Sequence, residues 1–127
     1  MTSIDLQTLR KRADFLRLNR GRRFASPSFV LQSAKMPDEV SLDTRLEGSA
    51  RLGLTVTKKI GNAVIRNKTR RRLREAARQV MPIAAQPGYD YVLIARATTG
   101  KASFDEIKAD LVRGLKSVHK PKKQARK

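Results

Sequence analysis

Residues Arg51 to Arg78 read RLGLTVTKKIGNAVIRNKTRRRLREAAR, and the fold follows from this stretch. Its first seven residues alternate. Leu52, Leu54 and Val56 point to one side, Gly53, Thr55 and Thr57 to the other, which is the period-2 pattern of a strand with one buried face. Each apolar side chain fully buried contributes roughly 1.5–3 kcal/mol, so the register of this strand is well fixed. From Asn62 or Ala63 the period becomes helical. Ile65, Thr69, Leu73, Ala76, Ala77 and Val80 gather on one face, and Pro82 is expected to stop the helix soon after Met81. The turn between them, Lys58-Lys59-Ile60-Gly61-Asn62, supplies a glycine for a positive φ and an asparagine for the helix N-cap.

The same stretch is heavily charged. Ten of its 28 residues are Lys or Arg, against one acid, Glu75. Asn67, Arg71, Arg74 and Arg78 form a stripe opposite the apolar face, with Arg66 and Arg70 on one flank and Lys68 and Arg72 on the other. A solvated helix normally intersperses glutamate. Like charges four apart, as in Arg66/Arg70, Arg70/Arg74 and Arg74/Arg78, cost about 0.2–0.5 kcal/mol each. The cluster therefore calls for a polyanion. Backbone N–H groups at a helix start attract phosphate, Lys58 and Lys59 stand beside them, and the arginine fork matches phosphate and guanine.

The whole chain agrees. It has 127 residues, a formal net charge of +18 and a pI near 11.4, so nucleic acid is the first candidate partner and an anionic membrane surface the second. Hydrophobic content of 39% is too high for a wholly disordered chain, and the length suits one domain. The absence of cysteine excludes a disulfide framework and a cysteine zinc site. MTSIDLQTLRKR has no apolar run suited to a signal peptide, and no segment approaches ~20 apolar residues. No membrane contact and a cytoplasmic location are expected.

Outward from the central stretch, residues 13–20 predict a short helix with Phe15, Leu18 and Asn19 on one face, stopped by Gly21. Residues 22–25 predict a small strand broken by Ser26-Pro27. Residues 28–34 alternate, with Phe29, Leu31 and Ser33 on one face and Ser28, Val30 and Gln32 on the other. Residues 35–50 hold four of the eleven acids and no clear period, which suggests a long solvated loop turned away from the polyanion. Residues 89–95 are apolar on both faces after Asp90, as a central strand should be. Ser103-Phe104-Asp105-Glu106 is a capping box. It opens a helix with Phe104, Ile107, Leu111, Leu115 and Val118 on one face. The expectation is a single domain with a core of about 9–118 and flexible segments at 1–8 and 119–127. Its class is α/β (α+β), a two-layer sandwich on a sheet of about four strands, in the order α-β-β-β-α-β-α. The two later helices should cover the Leu52/Leu54/Val56 face. The other face is left to the first helix, so Phe15, Val30, Gln32, Thr55 and Thr57 should line a shallow trough. Phe15 there is either plain core or a wall on which a base stacks, a contact that contributes ~1–3 kcal/mol.

Nothing in the chain looks catalytic. His119 is the single histidine, in a basic tail with no carboxylate partner for acid–base work. The acids are too scattered for a two-cation nuclease site, and there is no phosphate-loop motif. No catalytic or metal-binding residue is expected.

The run Lys58-Lys59-x-Gly61-Asn62-Ala63-Val64-x-Arg66-Asn67-x-x-Arg70-Arg71-x-x-Arg74 resembles the signature of the bacterial ribonuclease P protein subunit. Asp14-Phe15, Phe29-Val30-Leu31, the run Asp90 to Arg96 and the final amphipathic helix extend the resemblance over about residues 9–118. It implies a protein that assists an RNA catalyst. Lys58, Lys59, Asn62, Arg66, Asn67, Lys68, Arg70, Arg71 and Arg74 would dock the catalytic RNA. The trough of Phe15, Val30, Gln32, Thr55 and Thr57 would take the 5′ leader of precursor tRNA. Mg²⁺, bound mainly through the RNA, would be the cofactor of leader cleavage. The resemblance also implies a left-handed βαβ crossover. The sequence departs from the family at Lys68, where a second arginine is common, and at Asn19 and Gln32, where many members carry aromatics. A ribosomal or other structural RNA-binding protein is the alternative, since it shares the charge and the strand–turn–helix. A DNA architectural protein would want a groove-entering arm or dimer symmetry, and neither is evident.

Overall fold

The computed structural model describes residues 4–121. Its centre is a five-stranded sheet of β1 (Asp5–Thr8), β2 (Arg22–Ala25), β3 (Val30–Lys35), β4 (Ser49–Thr55) and β5 (Tyr89–Ile94), in the spatial order β1-β4-β5-β3-β2. Four helices accompany it: α1 (Arg12–Leu18), α2 (Asp38–Ser41), α3 (Ala63–Ala84) and α4 (Phe104–Val118). β4 runs parallel to both β1 and β5, while β3 is antiparallel to β5 and β2. β4, α3 and β5 thus form a βαβ unit between neighbouring parallel strands.

The expected layering holds. Phe29, Leu31, Leu52, Tyr91 and Leu93 are buried on one face, against Leu73, Ala76, Ala77 and Met81 of α3 and Ile107, Leu111, Leu115 and Val118 of α4. The Ser103–Glu106 capping box forms as expected, with the Glu106 N–H donating to Ser103 Oγ at 3.1 Å and the Ser103 N–H to Glu106 Oε1 at 2.7 Å. Gly114, costly in a free helix, has a packing reason here: a Cβ would stand 2.7 Å from Phe24 Cδ2.

Four expectations are corrected. First, the sheet has five strands rather than about four. Asp5–Thr8, expected to be flexible, pairs in parallel with Ser49–Leu52, and the Ile4 N–H donates to the Pro82 carbonyl at 2.9 Å. Leu6 and Ile4 pack onto the main core, which offsets the entropy of ordering the segment. Second, Pro82 does not stop α3, which continues to Ala84. Pro82 is the third residue from the helix end and forfeits only the bond its own N–H would make to the Arg78 carbonyl, while the Ala85 N–H still reaches the Met81 carbonyl at 2.9 Å. Third, β4 is Ser49–Thr55, so Val56 and Thr57 lie beyond it. Val56 nonetheless remains in the core. Fourth, the acidic loop contains a helical turn at Asp38–Ser41 and a 3-10 turn at Thr44–Leu46. The latter is capped by Asp43, which accepts from the Arg45 N–H at 3.0 Å. Of the tail expected to be flexible, residues 122–127 lie outside the described residues.

Candidate RNA interface

The start of α3 is built by the turn before it. Lys58–Ile60 makes one 3-10 turn, with the Gly61 N–H on the Lys58 carbonyl at 3.2 Å. Gly61 then takes φ +151°, a conformation that L residues rarely adopt. Asn62 caps the helix as expected, accepting from the Ile65 N–H at 3.0 Å, and Arg66 Nη1 donates back to the Gly61 carbonyl at 3.1 Å. Nothing from Ala63 to Lys68 is buried; burial begins at Thr69. The first turn and a half of α3 therefore overhangs the sheet. Ile65, expected on the buried face, is 47% exposed and Val64 is 75% exposed, because the sheet does not extend beneath them.

The turn and the first half of α3 are cationic and largely uncommitted. Lys58, Lys59, Asn62, Asn67, Lys68, Arg71 and Arg74 are exposed, Arg66 and Arg70 half-buried. None of these basic residues forms an ion pair among the described residues. Arg70 Nη1 donates to Asn67 Oδ1 at 3.1 Å. Two other arginines of α3 are engaged. Arg72 Nη2 donates to the Ala102 carbonyl at 2.6 Å, which ties α3 to the loop before α4. Arg78 pairs with Glu75. The Arg78 guanidinium, then Gln79, hold the Glu75 carboxyl down at about 2.

The trough face is built differently. Leu9, Leu18 and Val92 form a small separate cluster there, joined by Phe15, Ala34 and Ile94. Phe15 lies directly over Gly53, where a Cβ would stand 2.4 Å from Phe15 Cζ. Val30, Ile94 and Thr55 are in register across β3, β5 and β4, and Gln32, Val92 and Gly53 form the next row. So the sheet brings Phe15, Val30, Gln32 and Thr55 to one face. Their accessibility differs: Phe15 and Thr55 are half-buried and Val30 is buried. Gln32 is only 4% exposed and donates to Asn19 Oδ1 at 3.0 Å. Thr57 is exposed and stands past the strand end.

Sequence reasoning passed over the charges that fix α1 to this face. Asp90 is fully buried. It receives Arg51 in a two-pronged contact, Nε to Oδ1 and Nη2 to Oδ2, each 2.7 Å. It also receives Arg17 of α1. Asp14 stands 3.3 Å from Arg17 Nη2 and 3.5 Å from Arg51 Nη2. Arg17 Nη1 further donates to the Lys35 carbonyl at 2.8 Å. Two arginines and two aspartates thus neutralise one another beneath α1. The available signal was Asp90 heading an otherwise apolar strand, since a buried carboxylate demands partners.

The two regions meet at the edge of the sheet. A groove of about 390 Å³ is lined by Leu9, Phe15, Gly53, Leu54, Arg70 and Arg74, among others. β1 pairs with β4 only as far as Leu52, so the edge of β4 beyond it is open to the arginine flank of α3. The aromatic wall and the basic helix share one continuous surface. Away from it, His119 lies between Tyr89 and Tyr91 with no carboxylate bonded to it among the described residues. Among the described residues no helix is long and apolar enough to cross a membrane.

Comparison with known proteins bears on the family and the fold. Residues 5–119 match the family model described as Ribonuclease P. The "Ribonuclease P protein component" of Ruegeria pomeroyi is 45% identical over 121 residues, covering 94% of this chain and 92% of the relative. That of Gluconacetobacter diazotrophicus is 47% identical over 111 residues, covering 87% and 89%. Among solved structures, the Staphylococcus aureus RNase P protein superposes with a TM-score of 0.66 at 30% identity, covering 86% of this chain and 92% of that one. The Thermotoga maritima RNase P protein gives 0.67 at 28% identity, covering 84% and 93%.

Proposed function

The chain belongs to the bacterial ribonuclease P protein family, and on that premise we propose how it serves the ribonucleoprotein endoribonuclease of which such proteins are components. The chemistry, endonucleolytic removal of the 5′ leader of precursor tRNA, resides in the RNA subunit. This chain docks that RNA through Lys58, Lys59, Asn62, Arg66, Asn67, Lys68, Arg70, Arg71 and Arg74. It holds the leader in the trough of Phe15, Val30, Gln32, Thr55 and Thr57. It works in the cytoplasm as a single RNA-binding domain.

One observation carries the reading: the turn before α3 and the first half of that helix present, besides Arg72, seven cations from Lys58 to Arg74 without a carboxylate partner among the described residues. Seven like charges on so short a segment repel one another unless phosphates lie against them. The trough supports the second half of the reading. Phe15 and Thr55 offer a stacking surface and a hydroxyl, while the buried Gln32, held by Asn19, stiffens the floor rather than reaching out.

Mg²⁺ enters as a partner of the RNA. The one carboxylate on α3, Glu75, is engaged by Arg78 and Gln79. What the chain contributes is positive charge beside the RNA phosphates that carry the ion. The deciding experiment recovers the RNA bound to the chain in cells and tests the complex with Mg²⁺ on precursor tRNA. Cleavage at the 5′ end of the mature sequence is expected. A ribosomal RNA partner without cleavage would replace this reading with that of a structural RNA-binding protein.

A further inference from the structure

The cationic surface does not end with α3. At the opposite end of the sheet, where Lys35 of β3 pairs with Tyr89 of β5, a cavity of about 360 Å³ opens. Arg20, Arg22, Lys35, Gln86, Tyr89 and His119 line it, and no carboxylate does. Arg20, Arg22 and Lys35 form no ion pair among the described residues. One prong of Arg22 reaches the Ser117 carbonyl at 3.4 Å, which leaves the rest of its fork available.

A hydrogen-bond chain behind the cavity holds His119 at its wall. The Gln86 N–H donates to Tyr91 Oη at 2.9 Å. Tyr91 is buried, burial pushes its hydroxyl pKa up, and its Oη is hydrogen-bonded to His119 Nε2 at 2.5 Å. Burial, then Arg22, lower the His119 pKa. His119 Nδ1 has no partner among the described residues. Tyr89 meets the same ring edge-on, with centroids 4.6 Å apart. The cavity thus gathers three cations and an imidazole beside an aromatic ring, the charge that an oxyanion wants.

The location indicates the source of that oxyanion. α3 has 22 residues, about 33 Å at 1.5 Å per residue, and Gln86 lies just past its C-terminal end, opposite the overhang. A partner serving both ends must be long and anionic. The sequence after the cavity, KPKKQARK from Lys120, adds five more basic residues and no acid.

We propose that this cavity is a second docking point for the catalytic RNA, where Arg20, Arg22 and Lys35 neutralise a backbone phosphate beside the His119 ring. The proposal rests on the docking of that RNA at α3. The test uses the full chain with the catalytic RNA and measures affinity across a salt series for Arg20→Ala/Lys35→Ala, both exposed positions, beside Arg71→Ala. Each lost phosphate contact should lower the slope of log K against log salt by about 0.7–0.9. An unchanged slope in the double variant, with a lowered one in Arg71→Ala, overturns the second docking point and leaves α3 in place. Unchanged slopes in both overturn the α3 reading as well. A loss confined to precursor tRNA binding also overturns the proposal, because it assigns the phosphate to the substrate. The chain has no cysteine, so Arg20→Cys carrying a tethered iron chelate gives an independent readout. Local scission of the catalytic RNA is expected, and an intact RNA overturns the assignment.

Discussion

One face of the sheet lies under two helices of 22 and 15 residues, the other under a helix of seven. The first is closed by apolar area: Leu31, Leu52, Tyr91 and Leu93 meet the buried residues of α3 and α4. The second has only Leu9, Leu18 and Val92 fully buried in its own cluster. Its helix is fastened by Arg17 and Arg51 converging on Asp90. Apolar closure seals a surface, because every gap leaves dispersion and burial unrealised. Ionic fastening is local. It holds α1 at one point and leaves the rest of the face as a trough. The contrast shows how a small sheet can be sealed on one side and left grooved on the other.

The largest test of this contrast is on stability. Leu93→Ala, on the closed face, should cost about 2–5 kcal/mol, read as a shift in urea midpoint at constant m. Val92→Ala, one residue along and facing the trough, removes two carbons at roughly 0.8 kcal/mol each and should cost less. Equal costs would show that both faces are sealed alike. Asp90→Asn comes next. It strips two arginines of their counter-charge in a buried setting and should cost about 3 kcal/mol. A near-neutral result would remove the ionic fastening from the account.

Function gives smaller effects. Phe15→Ala should weaken precursor tRNA binding by the holoenzyme by ~1–3 kcal/mol and leave mature tRNA binding unchanged. Gly53→Ala, whose Cβ would displace the Phe15 ring, should act in the same direction and less strongly. Equal losses for precursor and mature tRNA would count against the trough as the leader site. On α3, Arg71→Ala should reduce the salt slope for catalytic RNA binding by about 0.7–0.9, and an unaltered slope would take Arg71 out of the interface. The smallest effect is on pH. An unfolded imidazole titrates near 6.5 and His119 titrates lower in the fold, so below about pH 6.5 the unfolded chain takes up the proton first. The stability contribution is complete above that pH and is lost as pH falls toward the folded value. His119→Gln should flatten this part of the stability curve, and an identical curve would mean that the imidazole is not shielded.

The elements legible in the sequence were those with a local code. β4 and α3 announced themselves by period, α4 by its capping box and the α3 start by Gly61-Asn62. β1 was not legible. Four residues with little apolar content form a strand only because the edge of β4 is there to receive them, and that edge is 44 residues away in register, Asp5 to Ser49. The exposure of Ile65 was hidden for a related reason: helical period shows which way a side chain points, not whether the sheet reaches far enough to meet it. The basic residues of α3 could be named from sequence because charge without compensating acid is visible in one dimension. The ionic fastening under α1 could not, because Asp14, Arg17, Arg51 and Asp90 come from three separate elements. The cavity at Arg20, Lys35 and His119 was equally hidden, assembled from the end of α1, the end of β3 and the end of α4.

β5 is the middle strand of the sheet and the last of the five to be synthesised. During translation β3 and β4 therefore have no common partner until residue 94 has left the ribosome. At 5–20 residues per second, about 2–9 s separate the appearance of Arg51 from that moment. Through that interval the most basic segment of the chain is a nascent polycation, emerging from a particle that is itself largely RNA, before the core that will present it exists. A newborn chain of this design has to resist capture by the machine that makes it.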